Sequence, residues 1–229
     1  MLAEILTRIG AENRFFVEFG IESGREGTCV YLADIARWDG LFIEADPGMH
    51  RDLSGRYAAN ERVRTVQALV TPGNVEQLFA DAGVPENLDI LSIDVDGSDY
   101  WIWEALQAYR PRIVVIEYNS ALPADTRLAQ PPDQGSWDGT DFQGASLGAM
   151  IGLGAQKGYR LVHTETSGVN AFFVRDELAD ARFPAPESIP KREPNYFQIG
   201  HHHPPATNGQ RYLNLDTGKL VRPPAKPTG

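Results

Sequence analysis

LDILSIDVDGSDYWIWEAL, residues 88–106, decides how the chain is read. It opens as an apolar run, Leu88 to Ile93, and then delivers Asp94, Asp96 and Asp99 around Gly97. An aromatic segment with apolar positions at helical spacing follows. A short apolar run bounded by turn residues reads as a buried strand, and the change to a 3.6-residue period marks a helix. Clustered carboxylates at the mouth of a strand have two readings. Asp96, Gly97, Ser98 and Asp99 can be turn and cap chemistry for the helix at 99. Alternatively, the acids belong to a site that holds a cation or moves a proton.

The same alternation recurs along the chain. FFVEF (15–19), GLFIEA (40–45), VRTVQALV (63–70), LDILSI (88–93) and RIVVIEY (112–118) read as strands. TCVYLADIAR (28–37), the segment after Pro47, NVEQLFADAG (74–83) and DYWIWEALQAY (99–109) read as helices. This βαβα order predicts an α/β fold, a doubly wound and mostly parallel sheet with helices on both faces. GASLGAMIGLGAQKGY (144–159) is a further helix, and YRLVHTE (159–165) with NAFFVR (170–175) forms a final antiparallel pair around Ser167-Gly168.

Residues 119–143 contain no recognisable element, and a loop of that length in a compact domain is expected to be functional or disordered. It is read here as a mobile segment that orders over a ligand. Residues 184–229 carry nine of the 16 prolines and form a tail that packs over the domain at 1–183 or reaches a partner. Ligands of open α/β sheets bind beyond the carboxyl ends of the strands. The residues in question are Glu18, Gly20, Glu22, Gly24 and Gly27 after the first strand, Glu44 after the second, Gln67 and Ala68 after the third, Asp94 after the fourth, and Glu117 and Asn119 after the fifth. The glycines admit a ligand to the backbone, Glu44 can accept from both hydroxyls of a ribose, and Gln67-Ala68 suit an adenine edge.

Composition narrows the classes. The 229 residues include one cysteine, Cys29, in an apolar stretch, so no internal disulfide can form and a small buried residue is expected. A formal net charge of -10 with no dense Lys/Arg run predicts no nucleic-acid partner. No apolar run reaches spanning length and the N-terminal residues lack a basic, apolar leader, so a cytoplasmic protein without membrane association is expected. A homodimer is one assembly the chain leaves open.

In its E-x-G-x-x-x-G loop (Glu18, Gly20, Gly24), Glu44 and Asp94, the chain resembles class I S-adenosylmethionine-dependent methyltransferases over residues 12–176. It departs from the usual pattern at Glu22, where a middle glycine is common. The resemblance implies a Rossmann-like seven-stranded sheet, with Gly20 and Gly24 against the methionine part of the cofactor and Glu44 on its ribose. Within that class it is similar to the macrocin- and catechol-type O-methyltransferases, which implies Mg²⁺ on Asp94, Glu117 and Asn119, with Tyr118 intervening between the last two. Asp94 is then a ligand or a general base, and the acceptor is a small-molecule hydroxyl. Tyr100, Trp101, Tyr118, Trp137 and Phe142 are candidate walls of the acceptor pocket. A metal-independent N- or C-methyltransferase, a dinucleotide-binding oxidoreductase (for which no G-x-G-x-x-G is present) and a non-catalytic protein working through its tail are the rival readings. His201, His202 and His203 are expected to be exposed, His163 structural, and His50 a weaker base than Asp94.

Overall fold

The computed structural model describes residues 1–134, 137–179, 181–195, 197, 202–206 and 209–224. Its main sheet has seven strands in the order β3-β2-β1-β4-β5-β8-β7. These are β1 (Phe15–Phe19), β2 (Asp39–Glu44), β3 (Val63–Gln67), β4 (Ile90–Ile93), β5 (Ile113–Glu117), β7 (Tyr159–Thr164) and β8 (Asn170–Arg175). β1 to β5 are parallel, and β8 runs antiparallel to both β5 and β7.

Side-chain alternation explains why helices cover both faces. Val17, Leu41, Leu91, Val114 and Phe173 enter one apolar cluster. Their neighbours Phe16, Phe42, Ile90, Ile113 and Val174 enter the other. A strand with apolar residues pointing both ways must be buried on both sides. The helices are α1 (Leu2–Ile9), α2 (Val30–Asp34), α3 (Pro47–Tyr57), α4 (Val75–Asp81), α5 (Asp99–Ala105) and α6 (Leu147–Lys157). Among the described residues, no helix is long and apolar enough to cross a membrane.

Several boundaries differ from the sequence-based expectation, each for a local reason. α2 starts late because the Thr28 and Cys29 amides donate to the Glu18 carboxylate, at 2.8 and 2.9 Å. α5 stops at Ala105 because the Gln107 and Ala108 amides turn to Glu76 on α4, at 2.6 and 2.7 Å. β3 stops at Gln67; beyond it the Thr71 amide bonds the Asn74 side chain and turns the chain toward α4. α3 and α6 have conventional caps. Asp46 accepts from the Gly48 and Met49 amides ahead of α3, and Ser146 accepts from the Ala149 amide ahead of α6.

The 119–143 segment is not without structure. It contains β6 (Leu128–Ala129), which pairs antiparallel with β9 (Tyr212–Asn214) of the tail; β9 pairs in turn with β10 (Lys219–Val221). The tail therefore packs on the domain through a second, three-stranded sheet.

Candidate functional site

The chain runs outward from β1 to β2 and β3, then returns to β4 on the other side of β1. That reversal opens the sheet between the carboxyl ends of β1 and β4, where ligands of such folds bind. Gly20 follows β1 and Asp94 follows β4. Gly20 has φ +77°, and a Cβ there would lie 1.5 Å from the Asp94 carbonyl oxygen. The two loops touch, and only glycine permits it.

A cavity of about 580 Å³ lies over this point. Gly20, Glu22, Glu44, Ala45, Ala68, Asp94 and Asp96 line it, with Met49, Leu69 and Trp137 as its exposed apolar residues. The buried Glu44 carboxylate accepts from the Glu22 amide at 2.7 Å and the Asp46 amide at 2.8 Å, one on each oxygen. These bonds hold the carboxylate in place, and each oxygen keeps a further lone pair for a ligand hydroxyl.

Not every residue expected at the cofactor lines the cavity. Glu18 is buried and spent on the Thr28 and Cys29 amides, so it shapes the glycine loop from beneath. Gly24 faces α3, where a Cβ would meet Leu53 at 2.6 Å. Gln67 is exposed outside the cavity, while its neighbour Ala68 is part of the wall. Of the five aromatic wall candidates, Trp137 alone is in the lining. Tyr100 and Tyr118 are in the core; Trp101 donates its indole N–H to the Gln130 carbonyl; Phe142 packs edge-on against Tyr212. His163 packs on Phe172, and His202 and His203 pack on Phe197. His201 lies outside the described residues.

Beside the cavity, Asp94, Asp96 and Glu117 bring one carboxylate oxygen each within 4.8 Å of one another. β4 and β5 pair in register up to Ile93 and Ile116, which sets Asp94 and Glu117 side by side. Glu117 Oε2 is buried with no hydrogen-bond partner. Asn119, the expected third ligand, has its side chain engaged elsewhere. Asn119 gives its side-chain N–H groups to the Asp141 and Gln143 carbonyls, at 2.9 and 2.8 Å, and its oxygen accepts from the Ala121 amide at 2.9 Å. Asp96 comes within reach of Asp94 and Glu117, held by a left-handed turn at φ +54°. Asp99 belongs to that turn: its carboxylate accepts from the Val95 and Gly97 amides, at 2.9 and 3.0 Å.

The cluster is electrostatically uncomfortable. Burial pushes Asp94 well above the usual carboxylate range, and Asp99, Asp96, Glu18 and Glu22 add to it. Burial does the same to Glu117, with Asp94, Asp99 and Asp96 adding. Asp96, although exposed at the cavity, is raised as well by partial desolvation, with Glu22 and Glu44 adding. Burial takes Asp99 to about 6 and Glu18 to about 7, although backbone hydrogen bonds oppose it in both. Hard divalent cations seek such oxygen sets, and an orphaned buried carboxylate oxygen is the kind of atom they satisfy. The three acids fit a cation.

A pH dependence follows. A carboxyl whose folded pKa is raised binds more protons folded than unfolded, so the stability it contributes falls as pH rises through that interval. For Asp99, from 3.8 to about 6, and Glu18, from 4.5 to about 7, the interval is pH 4 to 7. The cation-free protein should lose Tm as pH rises through that range, and Glu117→Gln should flatten the loss. Mn²⁺ should restore Tm at pH 7.5 and hardly change it at pH 5. Scanning calorimetry checks this, and identical slopes for wild type and Glu117→Gln would contradict it.

No protein-family model and no curated protein matches the chain. Among solved structures, Aeropyrum pernix fibrillarin with natively bound S-adenosyl-L-methionine aligns at a TM-score of 0.47 and 16% identity, covering 75% of this chain and 72% of that one. A Clostridium acetobutylicum S-adenosylmethionine-dependent methyltransferase aligns at 0.47 and 7% identity, covering 76% and 89%. The pyocyanin biosynthetic protein PhzM aligns at 0.44 and 17% identity, over 75% of this chain and 53% of its own length. All three fall below a TM-score of 0.5, so the site's own geometry carries the functional conclusion. The sheet order with its antiparallel β8/β7 pair is that of the Rossmann-like methyltransferase fold.

Proposed function

We propose that the chain transfers a methyl group from S-adenosylmethionine to an oxygen of a small-molecule acceptor, with a divalent cation, Mg²⁺ in the cell, on Asp94, Asp96 and Glu117. The observation that carries this reading is the meeting of Gly20 and Asp94 at the switch point, with Glu44, Asp94 and Asp96 in one cavity wall and Glu117 joined to the two aspartates within 4.8 Å.

S-adenosylmethionine supplies a methyl activated on a sulfonium, and a divalent cation would supply a lowered hydroxyl pKa and a fixed oxygen position. The chain supplies placement. Gly20 leaves the backbone open to the ligand's methionine end. Glu44 accepts from the ribose hydroxyls. Ala68 and Leu69 offer an apolar edge to the adenine. With a cation bound, the carboxylates of Asp94, Asp96 and Glu117 would hold it and so fix the acceptor oxygen; without one, Asp94, in the cavity wall, would take the hydroxyl proton. Alignment of the reacting atoms then lowers most of the barrier.

Glu44→Ala should weaken S-adenosylhomocysteine binding by about 1–3 kcal/mol, the cost of leaving ligand hydroxyls unpaired. Titration calorimetry measures it. An unchanged affinity would remove Glu44 from the cofactor site, and no binding to wild type would remove the methyltransferase reading. A metal-independent transfer with Asp94 as base is the second reading, favoured by the raised proton affinity of Asp94. Full turnover after EDTA treatment would select it.

A further inference from the structure

The turn that carries Asp96 is held from two sides. From below, the Asp99 carboxylate ties down the Val95 and Gly97 amides. From above, the side-chain oxygen of Gln130 lies against Gly97. A Cβ at Gly97 would sit 2.5 Å from Gln130 Oε1, and Gly97 itself is at φ +133°. Asp96 and Gly97 thus stand in succession at positive φ. A backbone of that kind persists only where its surroundings over-determine it.

Gln130 is itself fixed. It is buried; its amide donates to the Gly144 carbonyl at 2.8 Å, and its side-chain oxygen accepts from the Gly144 amide at 3.3 Å. Its carbonyl takes the Trp101 indole N–H at 2.8 Å, joining it to α5 directly behind the acid turn. Gln130 immediately follows β6, and β6 is two residues long. So short a strand does not hold itself. It is held from two sides: on one, the Ser146 amide donates to the Leu128 carbonyl at 2.8 Å and Ala129 bridges to Ala145; on the other, the tail closes the edge, where Leu128 and Ala129 pair with Asn214 and Leu213 and the Leu215 amide donates to the Arg127 carbonyl at 2.9 Å. Tyr212, in the same tail strand, is buried. Its hydroxyl lies 3.0 Å from the Asp141 carbonyl and 3.3 Å from the Asn119 side-chain nitrogen, two residues beyond Glu117.

We propose that Gln130 and Tyr212 are positioning residues for the carboxylate cluster, through which the C-terminal hairpin β9–β10 holds both the Asp96 turn and the exit of β5. The tail is then a working part of the site. Its two grips reach Asp96 through β6 and Gln130, and Glu117 through Tyr212 and Asn119. The effect on the cation rests on the reading given under the proposed function; the effect on the turn does not.

The test is hydrogen exchange on the full-length, ligand-free protein, joined to two titrations. Gln130→Ala should speed exchange in residues 94–99 at least fivefold and leave β1 and β2 as in wild type. Tyr212→Phe keeps the ring on Phe142 and loses the hydroxyl, so it should speed exchange at 117–122 and, by a smaller factor, at 94–99. Gln130→Ala and Tyr212→Phe should each weaken Mn²⁺ binding at least fivefold and leave S-adenosylhomocysteine affinity within twofold. A merely structural role would shift both ligands together. Wild-type exchange at 94–99 in Gln130→Ala, or acceleration spread evenly over the chain, would overturn the proposal. A wild type that binds no Mn²⁺ would remove the cation reading, and the exchange data alone would then decide on Gln130 and Tyr212.

Discussion

Asp94→Asn should lower methyl transfer by about a thousandfold, the scale of losing a positioned proton acceptor, and leave S-adenosylhomocysteine affinity within a few-fold of wild type. The split arises because the contact that joins the loops after β1 and β4 is made by the Asp94 backbone carbonyl, which the substitution keeps. The carboxylate it removes belongs to the three-acid cluster. The same variant should make the cation-free protein more stable at pH 7.5, by about 1.4 kcal/mol for each pKa unit by which burial, and then the neighbouring acids, raise Asp94. A gain in stability with a loss of turnover is the signature of a group kept for chemistry at a cost to the fold. Release of S-adenosylhomocysteine with a panel of phenols and sugars, alongside thermal unfolding, measures both. A variant that is less stable and equally active would show that Asp94 is a structural acid.

Gly20→Ala should cost about 3 kcal/mol or more and abolish cofactor binding, the range reserved for backbone clashes and strain. The new methyl would lie 1.5 Å from a main-chain oxygen and would require φ +77° of a residue with a Cβ. Neither loop can yield easily, since each leaves a central strand, β4 buried throughout and β1 buried from Phe16 to Phe19. Gly10→Ala is the matched control. Gly10 has φ +71° and ψ 172° with nothing within 4 Å of its Cβ position, so it bears the conformational penalty alone, about 1–3 kcal/mol. Thermal unfolding of the pair separates clash from strain. Equal losses would mean that the contact between the loops is not a tight one.

The parallel strands, the final antiparallel pair and the placing of Gly20, Glu44 and Asp94 at strand ends could be read from apolar runs and turn residues. Those signals are local: a buried strand needs its own apolar residues, and a strand end needs its own glycine or acid. What escaped the sequence depends on distant partners. Asn119 has ligand chemistry, but its amide is engaged by Asp141 and Gln143, which no local pattern announces. Asp96 comes within reach of Asp94 and Glu117 because of a left-handed turn, for which the Asp96-Gly97 dipeptide was the available signal. β6 and β9 are too short to show a period and form only through pairing with other segments, β6 with Ala145 and β9, and β9 with β6 and β10. Tyr118 and Phe142 stand beside the long loop in sequence but are drawn into the core and the tail cluster, so proximity along the chain misplaced them.

The central claim is that Gly20, Glu44 and the acids Asp94, Asp96 and Glu117 form one site for S-adenosylmethionine and a cation. Anomalous diffraction from crystals grown with S-adenosylhomocysteine and Mn²⁺ tests it most directly. The account predicts a manganese peak bounded by Asp94, Asp96 and Glu117, with the ligand's ribose on Glu44 and its sulfur facing the metal. S-adenosylhomocysteine bound away from Gly20 and Glu44, or no manganese between those three carboxylates, would contradict it.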